Sequence, residues 1–277
     1  MSKREGIMLA GPLDETKLAQ WPRPYIVQPK LDGERCRVVF GPDGPSLLTS
    51  HGREVRDMVP HLAEALAASP LAALGEIDGE LYTHGLSFQA VQSIVGRSKN
   101  LHPEHHKIHF HIFDIVSLHR QDARLQKLAQ AGCDLPQGLH LVPWREAQSL
   151  DDVALMADDW LADGYEGVIL RRSDRPYERK RASGLMKFKP GREDEYQVIG
   201  AVEERDKNGQ PKGRLGALLA KGDDGAEFAV GTGFTAFQRE ELWAKRGCLA
   251  GRTVRIRFQE LTSGRGVPRF PVFAALI

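Results

Sequence analysis

VQPKLDGERCRVVF, from Val27 to Phe40, places a lysine where the local pattern gives no reason for one. Residues 25–28 and 35–40 are rich in β-branched and apolar side chains, and Pro29-Lys30-Leu31-Asp32-Gly33 separates them. The stretch therefore reads as two strands around a turn. Lys30 sits at the junction with Arg35 and Arg37 close behind. Either it is a solvated turn lysine, or the turn exists to fix where its nitrogen points. An amine with a pKa of about 10.4 is neutral in about one molecule in a thousand near pH 7.4, a cost of roughly 4 kcal/mol to any attack by nitrogen. Nearby cations favour the neutral form, so a nucleophilic lysine wants positive company.

Outward from this stretch, residues 57–74 (DMVPHLAEALAASPLAAL) read as helical and Glu76–Tyr82 as a strand. Ser87–Val95 follows as a short helix, and Lys107–Leu118 as a buried strand. A helix is expected from Ser149 to Leu161, stopped at Gly164, with strands over Gly167–Arg171 and Leu185–Lys189. Beyond Pro190-Gly191 the texture changes. Short strands over 196–202, 217–221, 227–230 and 253–258, with one helix over 235–246, suit a small barrel of OB type.

At 277 residues the chain suits two domains, with a boundary near 190. Hydrophobic content of 41% fits a globular core, and no segment has the roughly 18 apolar residues of a membrane span. Cys36, Cys133 and Cys248 form no CxxC pair, which argues against a zinc ribbon and for a reducing, cytoplasmic setting. Net charge is +1, but Arg171–Arg192 carries a local excess of +7, and residues 239–277 hold eight Lys/Arg against three Glu. Such runs are either solvated faces or phosphate-binding surfaces.

Lys30-Leu-Asp-Gly-Glu-Arg35 fits KxDGxR, and it does not stand alone. Asp78-Gly-Glu-Leu81, Phe113-Asp-Ile-Val116, Glu166-Gly-Val-Ile-Leu170 and Leu185-Met-Lys-Phe-Lys189 follow in order. This series resembles the covalent nucleotidyltransferases, most closely the ATP-dependent DNA ligases, over nearly the whole chain. The resemblance implies an α+β protein. A nucleotidyltransferase (ATP-grasp-like ligase) catalytic domain over 1–190 would be followed by a small OB-fold β-barrel over 191–277. It also implies that Lys30 attacks the α-phosphorus of ATP to form a lysyl–AMP phosphoramidate.

Other roles are carried over position by position. Arg35 would hold ribose and phosphate, Arg53 a nucleotide phosphate or the 5′-phosphate of a nick, and Glu80 the ribose hydroxyls or a metal. Phe113 would stack on adenine, with Phe110 competing for that task. Glu166 would contact Mg²⁺ (or Mn²⁺), which prefers oxygen ligands. Lys187 and Lys189, two apart in a strand, face one side and could bring two ammonium groups to one phosphate. Arg181 would contact ATP, and Gln28 could read the adenine edge.

The implied partner is nicked double-stranded DNA, bound by a monomer through the 171–192 strip and the OB domain, in a bacterial or bacteriophage-infected cell. The expected uses are DNA repair, replication and recombination. Rival readings are an RNA ligase, a capping guanylyltransferase or a catalytically idle nucleic-acid binder. The chain departs from the family's basic C-terminal motif: Arg269-Phe-Pro fits its start, but Ala274 and Ala275 stand where basic residues are expected. Slow self-adenylylation, or use of Arg265 or Arg269 instead, would follow. His102, His105, His106, His109 and His111 crowd together, and His109 and His111 share a strand face. The absence of a cysteine among them and the turn-like Pro103-Glu104 argue against a metal cluster.

Overall fold

The computed structural model describes residues 6–189, 192–206, 208–222, 225–258, 261, 267–268 and 270–277. The chain divides into two compact units. One is built from the chain up to Pro12, Gln20–Glu146 and Trp160–Lys187, and the other from Leu13–Ala19, Ala147–Asp159 and Phe188–Ile277.

Tyr25–Lys30 and Glu34–Gly41 are both strands, yet they do not form a hairpin with each other. The first lies in a sheet ordered Leu9–Pro12, Arg181–Phe188, Gly167–Arg172, Tyr25–Lys30, Arg145–Ala147. The second lies in a sheet ordered Gly44–Thr49, Glu34–Gly41, Glu76–Tyr82, His109–Ile115, Leu139–Leu141. The Leu31-Asp32-Gly33 connection therefore carries the chain from one sheet to the other. Gly33 is required here by closeness rather than by backbone angle. A Cβ at this position would lie 2.3 Å from the Leu81 carbonyl oxygen and 2.9 Å from Glu80 Cγ.

The burial of each strand follows its pattern. Tyr25–Pro29 is buried on both faces. Glu34–Gly41 alternates: Cys36 and Val38 point into the core, while Arg35 and Arg37 point the other way. That core continues through Leu81, Phe110 and Ile112 and is covered by the Pro60–Ala67 and Phe88–Val95 helices. Ser87 caps the latter by accepting from the Ala90 N–H at 3.2 Å.

Residues 57–74 are not one helix. Prolines punctuate them into a 3₁₀ turn at Arg56–Met58, an α-helix at Pro60–Ala67 and a second 3₁₀ turn at Pro70–Leu74. A helix over Gln121–Ala131 escaped the sequence pattern. Its buried positions are Gln121, Arg124, Leu125 and Leu128, so two of the four inward residues are polar.

In the second unit a five-stranded antiparallel sheet runs Glu227–Val230, Pro211–Lys221, Arg192–Arg205, Thr253–Phe258, Val272–Leu276. The ladder does not close into a barrel. Among the described residues, its two ends meet only through an isolated parallel bridge, Thr232 to Val272, with Phe273 donating to the Thr232 carbonyl at 2.8 Å. The Ala236–Ala244 helix begins in a capping box made by Thr235 and Gln238. No described helix is long and apolar enough to cross a membrane.

Candidate active site

Lys30 ends its strand at the wall of a cavity of about 940 Å³ in the first unit. Strand register decides its nearest partner. Lys30 pairs with Gly167 across the antiparallel ladder, and the Glu166 N–H donates to the Lys30 carbonyl at 3.1 Å. Glu166 lies one residue before its strand, outside the regular alternation, and its carboxylate accepts from Lys30 Nζ in an ion pair. Both side chains keep some access to solvent, at 22% for Lys30 and 14% for Glu166.

Arg35 faces the same cavity. It donates from Nε to Asp78 Oδ1 (2.7 Å), from Nη2 to Asp78 Oδ2 (2.6 Å) and to the Met8 carbonyl (3.2 Å). Asp78 also accepts from the Tyr177 hydroxyl. This fork holds the guanidinium 4.6 Å from the centre of the Phe113 ring. Glu80 stands across the ladder from Arg35. Burial pushes its carboxyl up to about 8, against the opposing pull of Arg35 and Lys30.

Phe113 lines the cavity, whereas Phe110 is wholly buried and packs where a Gly79 Cβ would be, so the two aromatics separate cleanly. Lys187 and Arg181 also line the cavity, and Arg181 donates to the Ala10 carbonyl at 2.7 Å. Lys187 and Lys189 are exposed with Phe188 buried between them, as strand alternation requires. Lys189 is not among the cavity residues.

Gln28 and Arg53 also line the cavity, each with its side chain engaged by protein. Gln28 is 1% exposed, and its amide is engaged by protein: Oε1 accepts from Arg171 Nε at 2.5 Å and Nε2 donates to the Phe113 carbonyl at 3.4 Å. Arg53 lines the cavity but donates to the carbonyls of Val95 (2.9 Å), Gly96 (3.3 Å) and Arg97 (2.9 Å), closing the C-terminus of the Phe88–Val95 helix.

The Arg171–Arg192 run is not one cationic face. Arg171 is buried, Arg172 pairs with Asp174, Arg179 with Glu76 and Lys180 with Glu178. Charge counting along the chain already includes Asp174 and Glu178, but it could not reveal the pairing of Arg179 with the distant Glu76 or the burial of Arg171. Arg265 and Arg269, the alternatives for the C-terminal motif, lie outside the described residues.

Behind the cavity is a network that the sequence did not suggest. Asp114, fully buried, accepts from Arg124 Nε (2.7 Å) and Nη2 (3.1 Å), Arg171 Nη1 (2.8 Å) and Gln121 Nε2 (3.2 Å). Arg171 also lies 5.2 Å from the Phe113 ring centre. The signal was present in Phe113-Asp114, where a carboxylate in an otherwise apolar strand demands a partner.

Six Lys/Arg and three Asp/Glu line the cavity. An amine, guanidinium groups, an aromatic face and nearby carboxylates converge there, which fits a polyanionic ligand with a planar ring. Glu166 and Glu80 are hard oxygen donors and suit a divalent ion of the magnesium kind. Fold and cavity together define a covalent nucleotidyltransferase unit joined to an OB-like one. The family model described as ATP dependent DNA ligase domain matches residues 7–189, and the DNA ligase OB-like domain matches 208–276. The chain belongs to the ATP-dependent DNA ligase family.

It is similar to the DNA ligase of Haemophilus influenzae, at 27% identity over 254 residues covering 90% of this chain and 85% of that protein. It also resembles the multifunctional non-homologous end joining protein LigD of Pseudomonas aeruginosa, at 29% identity over 81% of this chain but 27% of that protein. Among solved structures, Chlorella virus DNA ligase-adenylate aligns over 99% of both chains with a TM-score of 0.56 and 24% identity, a likeness of fold.

Proposed function

We propose that this enzyme seals nicks in duplex DNA in three transfers of one adenylate. The Lys30 amine attacks the α-phosphorus of ATP, forming the N–P bond as pyrophosphate leaves. The adenylate then passes to a 5′-phosphate, releasing the lysine. Finally the 3′-hydroxyl attacks that phosphate and AMP departs. The ion pair to Glu166 gives the Lys30 proton an immediate acceptor, and the cavity's cations stabilise charge on the transferring phosphate. A divalent ion held by Glu166 and Glu80 would neutralise phosphate charge when bound. The observation that carries the reading is Lys30 on the wall of a cation-rich cavity, with Glu166 ion-paired beside it.

In this reading Arg35 and Lys187 steer the triphosphate and Phe113 receives the purine. The catalytic domain is residues 1–190, the OB domain is 191–277, and the enzyme works as a cytoplasmic monomer. DNA is held chiefly through phosphates, so its binding weakens steeply with added salt.

Incubation with α-labelled ATP and Mg²⁺ is expected to leave label on the protein, absent in Lys30→Ala and released as nicked DNA is sealed. Label from GTP alone, or sealing confined to RNA, would replace this reading with one of the rivals.

A further inference from the structure

On the second sheet, away from Lys30, three imidazoles meet. His109 and His111 lie two apart on the His109–Ile115 strand and so share a face. His140 is the register partner of His111 on the parallel neighbour Leu139–Leu141. One ring nitrogen from each lies within 4.8 Å of the other two. His140 Nε2 and His109 Nδ1 are 3.1 Å apart, and the His140 ring centre is 5.0 Å from that of His109 and 4.9 Å from that of His111. None of the three lines the cavity that holds Lys30.

We propose that His109, His111 and His140 form a binding site for a divalent transition-metal ion of the zinc type, separate from the phosphate-handling cavity. Metal–nitrogen bonds of about 2.0–2.1 Å in a tetrahedron put donors about 3.3 Å apart. Small ring rotations reach that spacing from the arrangement present. His140 is exposed, which leaves water to complete the coordination.

Imidazole donors select zinc, cobalt, nickel or copper over magnesium, which wants oxygen. The ion that serves phosphate chemistry would therefore not compete here. What the site would hold is the sheet edge. Leu139–Leu141 is a three-residue outer strand, and a bound ion would tie it to its neighbour through side chains as well as backbone.

The sequence grouping of His102, His105 and His106 supplies a control. His105 meets His61, whose Nε2 is already engaged by the Ile108 carbonyl at 2.9 Å. The test uses the untagged full chain, freed of metal by chelator and titrated with Co²⁺ in Mg²⁺ buffer. One Co²⁺ per chain should bind with the strong visible absorption of a four-coordinate ion, and Zn²⁺ should bleach it. His140→Ala, an exposed change that spares the core, and His109→Ala should each weaken binding beyond the roughly 10–100-fold cost of losing an outer partner of a ligand. His105→Ala should bind as the parent does. Zn²⁺ should raise the melting temperature of the parent but not of His140→Ala. Absence of the four-coordinate absorption, or its survival in His140→Ala, would overturn the assignment.

Discussion

Replacing Asp114 by asparagine removes the one negative charge between two buried guanidinium groups while preserving side-chain volume. Arg124 has no exposure and Arg171 has 4%, so neither can turn to water for compensation. The two contacts on Asp114 at 2.7 and 2.8 Å correspond to charge centres about 4 Å apart. At an effective dielectric of about 20 each pair is worth about 4 kcal/mol. Relief of the carboxylate's own desolvation offsets part of the roughly 8 kcal/mol total, leaving the 3–5 kcal/mol typical of stranding a buried charge. At about 2–4 °C per kcal/mol for a unit of this size, calorimetry should show the melting temperature fall by about 6–20 °C. Arg124→Met added to Asp114→Asn should recover part of that loss, because one stranded charge goes with it. A single variant melting within about 2 °C of the parent would refute the view that Asp114 anchors both arginines.

Lys187→Ala should leave the protein folded and lower the rate of self-adenylylation by about 10²–10³-fold, as loss of one phosphate-stabilising donor does elsewhere; an unchanged single-turnover rate would remove Lys187 from phosphate handling. Gly33→Ala forces a methyl group to 2.3 Å from the Leu81 carbonyl oxygen, so unfolding in urea should show a loss of about 1–3 kcal/mol; a neutral change would mean the two strand ends separate freely. Glu204, in the OB-like unit, is held down to about 2 by its hydrogen bond from Arg214 and by Lys212, against the effect of burial. The stability it lends is full above the ordinary carboxylate value of 4.5 and is lost as pH falls toward 2. Screening at this accessible site limits that to about 0.5–1 kcal/mol, so Glu204→Gln should be less stable at pH 7 and equal to the parent near pH 2. A deficit of the same size at both values would contradict the ion-pair account.

The strands bearing Lys30, Glu80 and Phe113, and the one that follows Glu166, were legible because alternation and turn residues mark them locally. Which sheet each strand joins was not, since pairing of Tyr25–Lys30 with Gly167–Arg172 spans most of the catalytic chain and leaves no local trace. The helix Gln121–Ala131 was missed for a related reason. Its inward Gln121 and Arg124 are satisfied by Asp114, a partner that an apolar periodicity search cannot supply. Arg171 was counted with a basic strip when it belongs to that same network. His140 lies 29 residues from His111, and only the parallel pairing of two strands brings their rings together. Phe113 and Phe110 show the converse. Alternation already put them on opposite faces, and the core chose Phe110.

Because Lys30 pairs with Gly167 across a backbone ladder and its carbonyl accepts from the Glu166 N–H, the closeness of Lys30 to Glu166 is inherited from main-chain pairing rather than from the shapes of surrounding side chains. Such a pair can outlast wide divergence of its environment but not a slip of one residue, which would turn the amine to the far side of the sheet and silence the enzyme with every functional group still present.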